Sequence, residues 1–151
     1  MTSDVVTPVS LEILASVEIE ADPATVWTSL IDDVGAWWPH SFSDDPKISL
    51  EPWVGGRFLE EFGEGGGALY AVVTYLEPGK VLRVSGAMGM PGARQYVKTY
   101  RLEPNGTGTT VSTEASMLGD IDPDRRESYR SGGVELLASL KRFVESGDAA
   151  R

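Results

Sequence analysis

The fold is decided by a stretch near the C-terminus, residues 122–147, which reads DPDRRESYRSGGVELLASLKRFVESG. Asp122 is a typical N-cap residue, Pro123 suits the first helical position, and Gly147 suits the position just after the last turn. The pattern predicts a helix from Pro123 to Glu145, about 35 Å long at roughly 1.5 Å per residue. Its apolar stripe indicates that the helix lies along an apolar surface. That stripe consists of Tyr129, Gly133, Leu136, Leu137, Leu140 and Val144.

The chain before this helix has the pattern of one strand, two short helices and then about six strands. Alternating apolar and polar residues predict a strand from Leu11 to Glu20 with one buried face. Asp22-Pro23 opens a helix, and the run 36–40 predicts a second short helical turn. Short turns such as 104–106 favour an antiparallel meander. The sequence therefore predicts an α+β fold, in which a curved antiparallel sheet of six to seven strands wraps around the C-terminal helix.

Composition and charge exclude several classes of protein. The chain has 151 residues, of which 41% are hydrophobic and 24% are charged, as in an ordinary globular domain. Its formal net charge of -10 argues against nucleic acid or an anionic membrane as the partner, since both require a basic face. It has no cysteine, which excludes disulfides and thiolate chemistry.

Neither a secretion signal nor a membrane span is evident. Met1 to Pro8 lacks basic and apolar signal regions, and the longest nearly apolar run, 68–76, is far shorter than the roughly 20 residues that span a bilayer. We expect a cytoplasmic protein. Residues 1–10 form a loose N-terminal segment in this interpretation, 11–147 form one domain, and 148–151 form a tail.

Four motifs, in this order, resemble the helix-grip superfamily, also called START-like, SRPBCC or Bet v 1-like. They are residues 22–27, DPATVW; Trp37-Trp38-Pro39; Gly55-Gly56-Arg57-Phe58; and residues 132–141, GGVELLASLK. The likeness covers roughly residues 11 to 146 and is nearest to homologues of the C-terminal domain of the heat-shock protein 90 ATPase activator. That family usually has Gly-Trp where this chain has Gly132-Gly133, so the resemblance implies a wider cavity, or an altered mouth, beside the helix.

Several local motifs have ordinary structural interpretations. Residues 63–68 match the letters of a dinucleotide-binding fingerprint, but a strand follows them instead of a helix, which favours a hairpin turn. Asp120, Asp122 and Asp124 resemble half of a calcium loop, yet acidic residues at a helix start also complement the helix dipole. His40 is the only histidine, which excludes a multi-histidine metal site. It is either a solvated residue or a polar group at a cavity mouth.

Strand parity places two charged residues beside aromatic residues that are expected to face inward. If Phe58 and Phe62 point to the core, Glu60 does too. If Tyr96, Tyr100 and Leu102 point inward, so does Lys98. A buried carboxylate or ammonium is costly unless it is paired, so an inward Glu60 or Lys98 is a candidate functional group. A bulge or a register shift would put either residue in water instead.

We expect the protein to bind a small apolar or aromatic molecule in a cavity between the sheet and the C-terminal helix. The expected lining, from strand parity and the family resemblance, is Trp37, Trp38, Phe58, Glu60, Tyr70, Val72, Leu82, Tyr96, Lys98, Tyr100, Tyr129, Gly133 and Leu137. Trp53 and Tyr75 could line the same space. Nothing in the sequence requires a metal or an organic cofactor, and both a monomer and a homodimer remain open, since an exposed Trp37-Trp38 pair could form a dimer contact.

The resemblance implies two alternative functions. The likeness to the ATPase activator implies a chaperone-interaction module with a role in the stress response. Related folds also include polyketide cyclases and dehydrases, and in an enzyme of that kind Glu60, Lys98 or His40 would supply the acid or base.

Overall fold

A computed structural model describes residues 9–151 of the chain, and the expectation for the segment before Val9 lies outside these residues. The described part contains a seven-stranded antiparallel sheet with the strand order β1-β7-β6-β5-β4-β3-β2. In chain order the elements are β1 Val9–Ile19, α1 Pro23–Ile31, α2 Val34–Trp37, β2 Lys47–Leu50, β3 Arg57–Gly63, β4 Gly66–Glu77, β5 Val81–Gly86, β6 Arg94–Asn105, β7 Gly108–Gly119 and α3 Arg126–Ser146. The sheet curves around α3, which confirms the α+β helix-grip prediction.

The C-terminal helix differs from its prediction only at its start. A 3-10 turn, Pro123–Arg125, precedes α3, and Asp122 caps this turn by accepting the backbone N–H of Asp124 at 2.9 Å. Gly147 ends α3 in the left-handed conformation, at φ 74°, which a glycine adopts without steric cost. The buried side chains of α3 are Leu136, Leu137, Ser139 and Leu140.

The second short helix lies earlier than predicted. It spans Val34–Trp37 rather than residues 36–40, and Trp38 is extended, at ψ 117°. The ring of Pro39 explains this, because a proline disfavours helical backbone at the residue before it. Trp37 and Trp38 are 1% and 4% exposed, so the expectation that they form an exposed dimer contact is wrong.

The last residues of the chain pack against α2. The backbone N–H of Ala150 donates to the carbonyl of Ala36 at 2.8 Å. The guanidinium group of Arg151 donates to the carbonyls of Gly35, Trp38 and His40 at 2.7–3.0 Å. The segment 148–151 therefore covers the turn that carries the Trp37-Trp38 pair.

Parity predicted the direction of the two charged residues correctly but not that of Phe62, which is 49% exposed at a register shift in β3. Glu60 on β3 is 0% exposed and Lys98 on β6 is 2% exposed, so neither residue is turned into water. On β6, Tyr100 is also buried and Tyr96 is half-buried on the same face. The alternative, in which a bulge exposes Glu60 or Lys98, is wrong.

Candidate ligand cavity

A cavity of about 720 Å³ lies between the sheet and the N-terminal half of α3. Its floor consists of rows of residues that pair across β1, β7 and β6: Ile13 lies opposite Ala115, which lies opposite Lys98. Met117 and Tyr96 form the next row towards one end, and Thr113 lies on the other side. The roof comes from α3 and the residues before it, and the mouth from two loops. Roof and mouth residues include Tyr129, Gly132, Gly133, Leu136, Ile121, Arg125, His40, Phe42, Met88 and Met90.

Part of the predicted lining lies at this cavity. Those residues are Trp38, Tyr70, Tyr96, Lys98, Tyr129 and Gly133. Gly132 lines it as well, so the departure from Gly-Trp falls at the cavity wall. A Cβ atom at Gly132 would meet nothing within 4 Å, and one at Gly133 would meet only Cγ2 of Ile13, at 3.5 Å. Both glycines therefore leave open space where a side chain could stand.

The other predicted lining residues lie away from the cavity. Trp37, Phe58, Leu82 and Tyr100 surround a separate gap of only about 10 Å³ in the core. Leu137 belongs to the same core and is 2% exposed. Strand parity indicates which side of the sheet a residue faces but not its position along the strand, and side chains of α1 and α2 fill this end of the sheet.

Val72 is half-buried, and its neighbours Ala71 and Val73 are in the core instead. The cause is a bulge in β4: Phe58 pairs with Ala71 and Leu59 pairs with Leu69, which leaves Tyr70 as the extra residue. A bulge changes which residues face inward beyond it, and the local sequence does not reveal it.

Trp53 and Tyr75, the further candidates, are 54% and 40% exposed and do not line the cavity. The sequence analysis missed other residues that do line it, chiefly the loop methionines Met88 and Met90, and also Arg94 and Met117. Strand alternation could have identified Arg94 and Met117, since each shares a face with Tyr96 or Ala115. Nothing periodic marks the loop positions.

Lys98 is the unusual polar group of the cavity. Its Nζ is buried and has no hydrogen-bond partner within the described structure. It lies 4.9 Å from the centre of the Tyr100 ring, which gives it a cation–π contact. Burial lowers the pKa of Lys98 from 10.5 to about 8, because a low-dielectric environment disfavours the ammonium form.

Glu60, in contrast, has all the partners that a buried carboxylate needs. It accepts hydrogen bonds from the backbone N–H groups of Phe42 and Ser43, both at 2.9 Å, and from the Ser43 hydroxyl at 2.6 Å. The hydroxyl of Tyr70 donates to it at 2.5 Å. Burial raises the pKa of Glu60, but these hydrogen bonds outweigh burial and hold it below its usual value. Glu60 therefore anchors the loop at the mouth of the cavity and has no free oxygen for catalysis.

Three further groups at or beside the cavity, Tyr96, Tyr100 and His40, have shifted pKa values. Burial raises the pKa of Tyr96, and burial followed by the neighbouring Tyr96 raises that of Tyr100. Partial burial, and then the charges of Arg151 and Lys98, lower the pKa of His40. His40 is exposed and also lies at the cavity wall, so the structure is consistent with both of its interpretations.

The short sequence motifs have structural explanations. Residues 63–66 form the hairpin between β3 and β4, with Gly63, Glu64 and Gly65 all at positive φ. Asp122 caps the turn before α3. In residues 9–151, no three acidic or histidine side chains are arranged to hold a metal ion. No helix within that range is long and apolar enough to cross a membrane.

The family model for polyketide cyclases/dehydrases and lipid transport proteins matches residues 10–143 of this chain. The chain therefore belongs to this family, within the SRPBCC-type helix-grip proteins that the sequence resembles. No curated protein gives a significant match.

Solved structures confirm the fold. The crystal structure of DynU16, from the dynemicin biosynthetic locus, has a TM-score of 0.70 at 20% identity and covers 93% of this chain and 49% of its own. The chain thus spans about half the length of that protein. Protein MLL2253 from Mesorhizobium loti has a TM-score of 0.64 at 25% identity, with 91% and 99% covered.

The solution structure of the Aha1 dimer from Colwellia psychrerythraea also has a TM-score of 0.64. It is 24% identical, with 91% of this chain and 98% of that chain covered. At this identity the likeness shows the fold alone. The chaperone-interaction module and its role in the stress response stay predictions from the resemblance.

Proposed function

We propose that this protein binds a small apolar or aromatic molecule in the cavity between the sheet and α3. The observation that carries the proposal is the cavity itself. Its volume of about 720 Å³ falls within the roughly 300–1,000 Å³ of typical small-molecule pockets. Its walls are mainly aliphatic, aromatic and thioether side chains, which supply affinity by leaving water.

The open volume depends on Gly132 and Gly133 in α3. Glycine in a helix interior costs roughly 1 kcal/mol relative to alanine, so two adjacent glycines weaken the helix. Here they give the ligand access to the floor residues Ile13 and Ala115, which a large side chain on α3 would cover. This arrangement supports a binding role.

Polar side chains form the smaller part of the cavity wall, which also includes His40, Asp120 and Asp122. Lys98, Tyr96 and Thr113 extend from the floor, and Arg94 and Arg125 lie towards the mouth. A mainly apolar pocket with a small number of polar groups is the usual composition of a ligand site, in which the polar groups fix the orientation of the ligand.

The test is a fluorescence titration with N-phenyl-1-naphthylamine, a neutral aromatic probe. The wild type should bind one probe molecule per chain. Gly133→Trp, which puts an indole into the cavity, should weaken binding by at least about tenfold, because it occupies the volume that the probe needs. Gly133→Ala is the matched control and should retain binding, since its methyl group makes only an ordinary contact with Ile13.

Circular dichroism would establish that each variant is folded. If Gly133→Trp does not fold, Ala115→Leu fills the cavity from the opposite wall and takes its place. A wild type without saturable binding would overturn the proposal, and so would a folded, filled variant that binds the probe as tightly as the wild type.

A dehydrase-like enzyme is the second candidate, because Lys98 and His40 lie at the same cavity. A neutral Lys98 amine could take a proton from the carbon beside a ketone and, as the ammonium, return that proton to the β-hydroxyl group, which then leaves as water while the C=C bond forms. The assay is the dehydration of 4-hydroxy-4-phenylbutan-2-one, followed by the absorbance of the conjugated ketone. A rate that exceeds the buffer rate and is lost in Lys98→Met would support an enzyme; a rate equal to buffer would count against it.

A further inference from the structure

No ion pair joins Lys98 to any residue in the described part of the chain. Across the sheet it lies between Ala115 on β7 and Val84 on β5, which are both apolar. Within the described residues no carboxylate oxygen lies within 4.0 Å of its Nζ, and the ion pairs found there all involve other residues. The ammonium group therefore has only the face of Tyr100 as a partner.

Glu60, the buried carboxylate, is already committed to other hydrogen bonds and does not pair with Lys98. Glu60 is held by Phe42, Ser43 and Tyr70. Two aspartates, Asp120 and Asp122, line the cavity near its mouth. Asp122 already accepts the N–H of Asp124 as a cap. Among residues 9–151, the buried amine of Lys98 therefore faces the open cavity without a partner.

Buried ammonium groups are rare because they lose their hydration, which a single cation–π contact restores only in part. A group whose hydration is removed and whose partner is missing is often completed by a bound ligand. A second inward group follows the same pattern: the Nε of Arg94, on the same face of β6, is also buried, without a hydrogen-bond partner in the described structure, and at the cavity.

We infer that the ligand of this cavity is a small aromatic or alkyl carboxylate whose carboxylate group pairs with the Nζ of Lys98; this rests on the proposed function. The apolar part of such a ligand would occupy the space beneath Gly132 and Gly133. A carboxylate fits this position better than a phosphate, since the immediate neighbours of Nζ, namely Ala115, Val84 and the Tyr100 ring, offer no donors for a second charge or for further oxygens. Arg94 lies four residues away on β6, roughly 13 Å between Cα atoms at the rise of a strand.

The experiment compares 2-naphthylacetate with 2-naphthylacetamide, which have nearly the same shape and differ in charge. Isothermal titration calorimetry near neutral pH would measure both ligands against the wild type, Lys98→Met and Lys80→Met. Lys80 is exposed, lies in the β4–β5 turn and does not line the cavity, so it controls for loss of a positive charge alone.

We expect the wild type to bind the acid roughly 10- to 100-fold more tightly than the amide, the usual range for a hydrogen bond to a charged group. Lys98→Met should reduce the affinity for the acid to that for the amide and leave the amide unchanged. Lys80→Met should leave both affinities unchanged.

The possible failures are distinguishable. If the amide and the neutral naphthylamine probe bind but the acid has no advantage, the inference about Lys98 is overturned and the proposed function stands. Binding of the acid to folded Lys98→Met with wild-type affinity overturns it as well. If neither naphthyl ligand nor the neutral probe binds the wild type, both the proposed function and the inference about Lys98 are overturned.

Discussion

Replacing Lys98 with methionine measures how much the buried amine lowers the free energy of unfolding of this protein. Methionine keeps the unbranched shape and removes the charge. Burial moves the pKa of Lys98 from 10.5 to about 8. Since one pH unit corresponds to about 1.4 kcal/mol, the charged form is disfavoured in the folded state by about 3 kcal/mol.

The sign of the pH dependence follows from where the proton is bound. Between about pH 8 and about pH 10, the unfolded chain keeps the proton on Lys98 and the folded chain releases it. The unfolded state therefore binds more protons, and the free energy of unfolding of the wild type rises with pH in this window. Below about pH 8 the full cost is present, so Lys98→Met should be more stable there by up to about 3 kcal/mol.

Groups that face Lys98 define the upper limit of the window. Burial raises the pKa of Tyr96 and Tyr100, so these residues keep their protons in the fold while the unfolded chain loses them above about pH 10. This effect lowers the free energy of unfolding above about pH 10, and it occurs in both the wild type and Lys98→Met. Partial burial, together with the charges of Arg151 and Lys98, puts the pKa of His40 below its usual value and outside the window. Both the wild type and Lys98→Met contain the charged residues Asp120, Asp122 and Arg125 at the mouth of the cavity.

The assay is urea unfolding followed by circular dichroism, at steps from about pH 7 to about pH 10, with Lys80→Met as the exposed control. The stability advantage of Lys98→Met should shrink as the pH rises, and Lys80→Met should follow the wild type. Parallel pH curves for the wild type and Lys98→Met, or a variant that is less stable throughout, would refute the burial of an unpaired amine.

Three further substitutions test the surroundings of the cavity. Glu60→Gln should lower the free energy of unfolding by about 1–3 kcal/mol, since its amide nitrogen would face donors from Phe42, Ser43 or Tyr70; urea unfolding measures this. Gly132→Ala should raise it by roughly 1 kcal/mol, because a Cβ there meets nothing within 4 Å; thermal unfolding measures this. Leu140→Ala should lower it by about 2–5 kcal/mol, since Leu140 is 0% exposed in the core; urea unfolding measures this.

Each of these has a contrary outcome. The pKa of Glu60 in the folded state lies below its usual value, so ionised Glu60 stabilises the fold above about pH 4.5, and this stabilisation is lost as the pH falls. If the free energy of unfolding of Glu60→Gln fell with decreasing pH as steeply as that of the wild type, this reasoning would be contradicted. A destabilised Gly132→Ala would mean that the helix needs glycine there. A loss well under 2 kcal/mol in Leu140→Ala would mean that the core closes over the gap.

Most of the architecture could be predicted from local patterns. The period-two pattern of β1, the Asp-Pro cap of α1 and the stripe of α3 each depend on residues close together in the chain. Parity made Glu60 and Lys98 candidates for burial, since each is two residues from an inward aromatic residue, and the structure excluded the alternative of a bulge that exposes them. The errors at α2 and at the start of α3 are shifts of a few residues, and at α2 the cause is the ring of Pro39.

The cavity lining could be predicted only in part. Trp38, Lys98 and Gly133 lie at the cavity, but Phe58 and Leu82 face the same side and fill the core. Sequence pattern distinguishes the two faces of a sheet. It does not reveal where along the strands another element leaves the sheet uncovered.

By itself the sequence determined the order of the elements and the antiparallel α+β class, because both follow from backbone periodicity. It identified Glu60 and Lys98 as candidates for burial but left open whether a bulge or a register shift would expose them. The tertiary structure alone decided how the two charges differ. A mouth loop distant in sequence brings the Phe42 and Ser43 amides to Glu60, whereas the strands beside Lys98 bring only Ala115 and Val84. Partners that satisfy a buried charge come from distant parts of the chain, so only the folded arrangement reveals that Glu60 is hydrogen-bonded and that Lys98 has no such partner within residues 9–151.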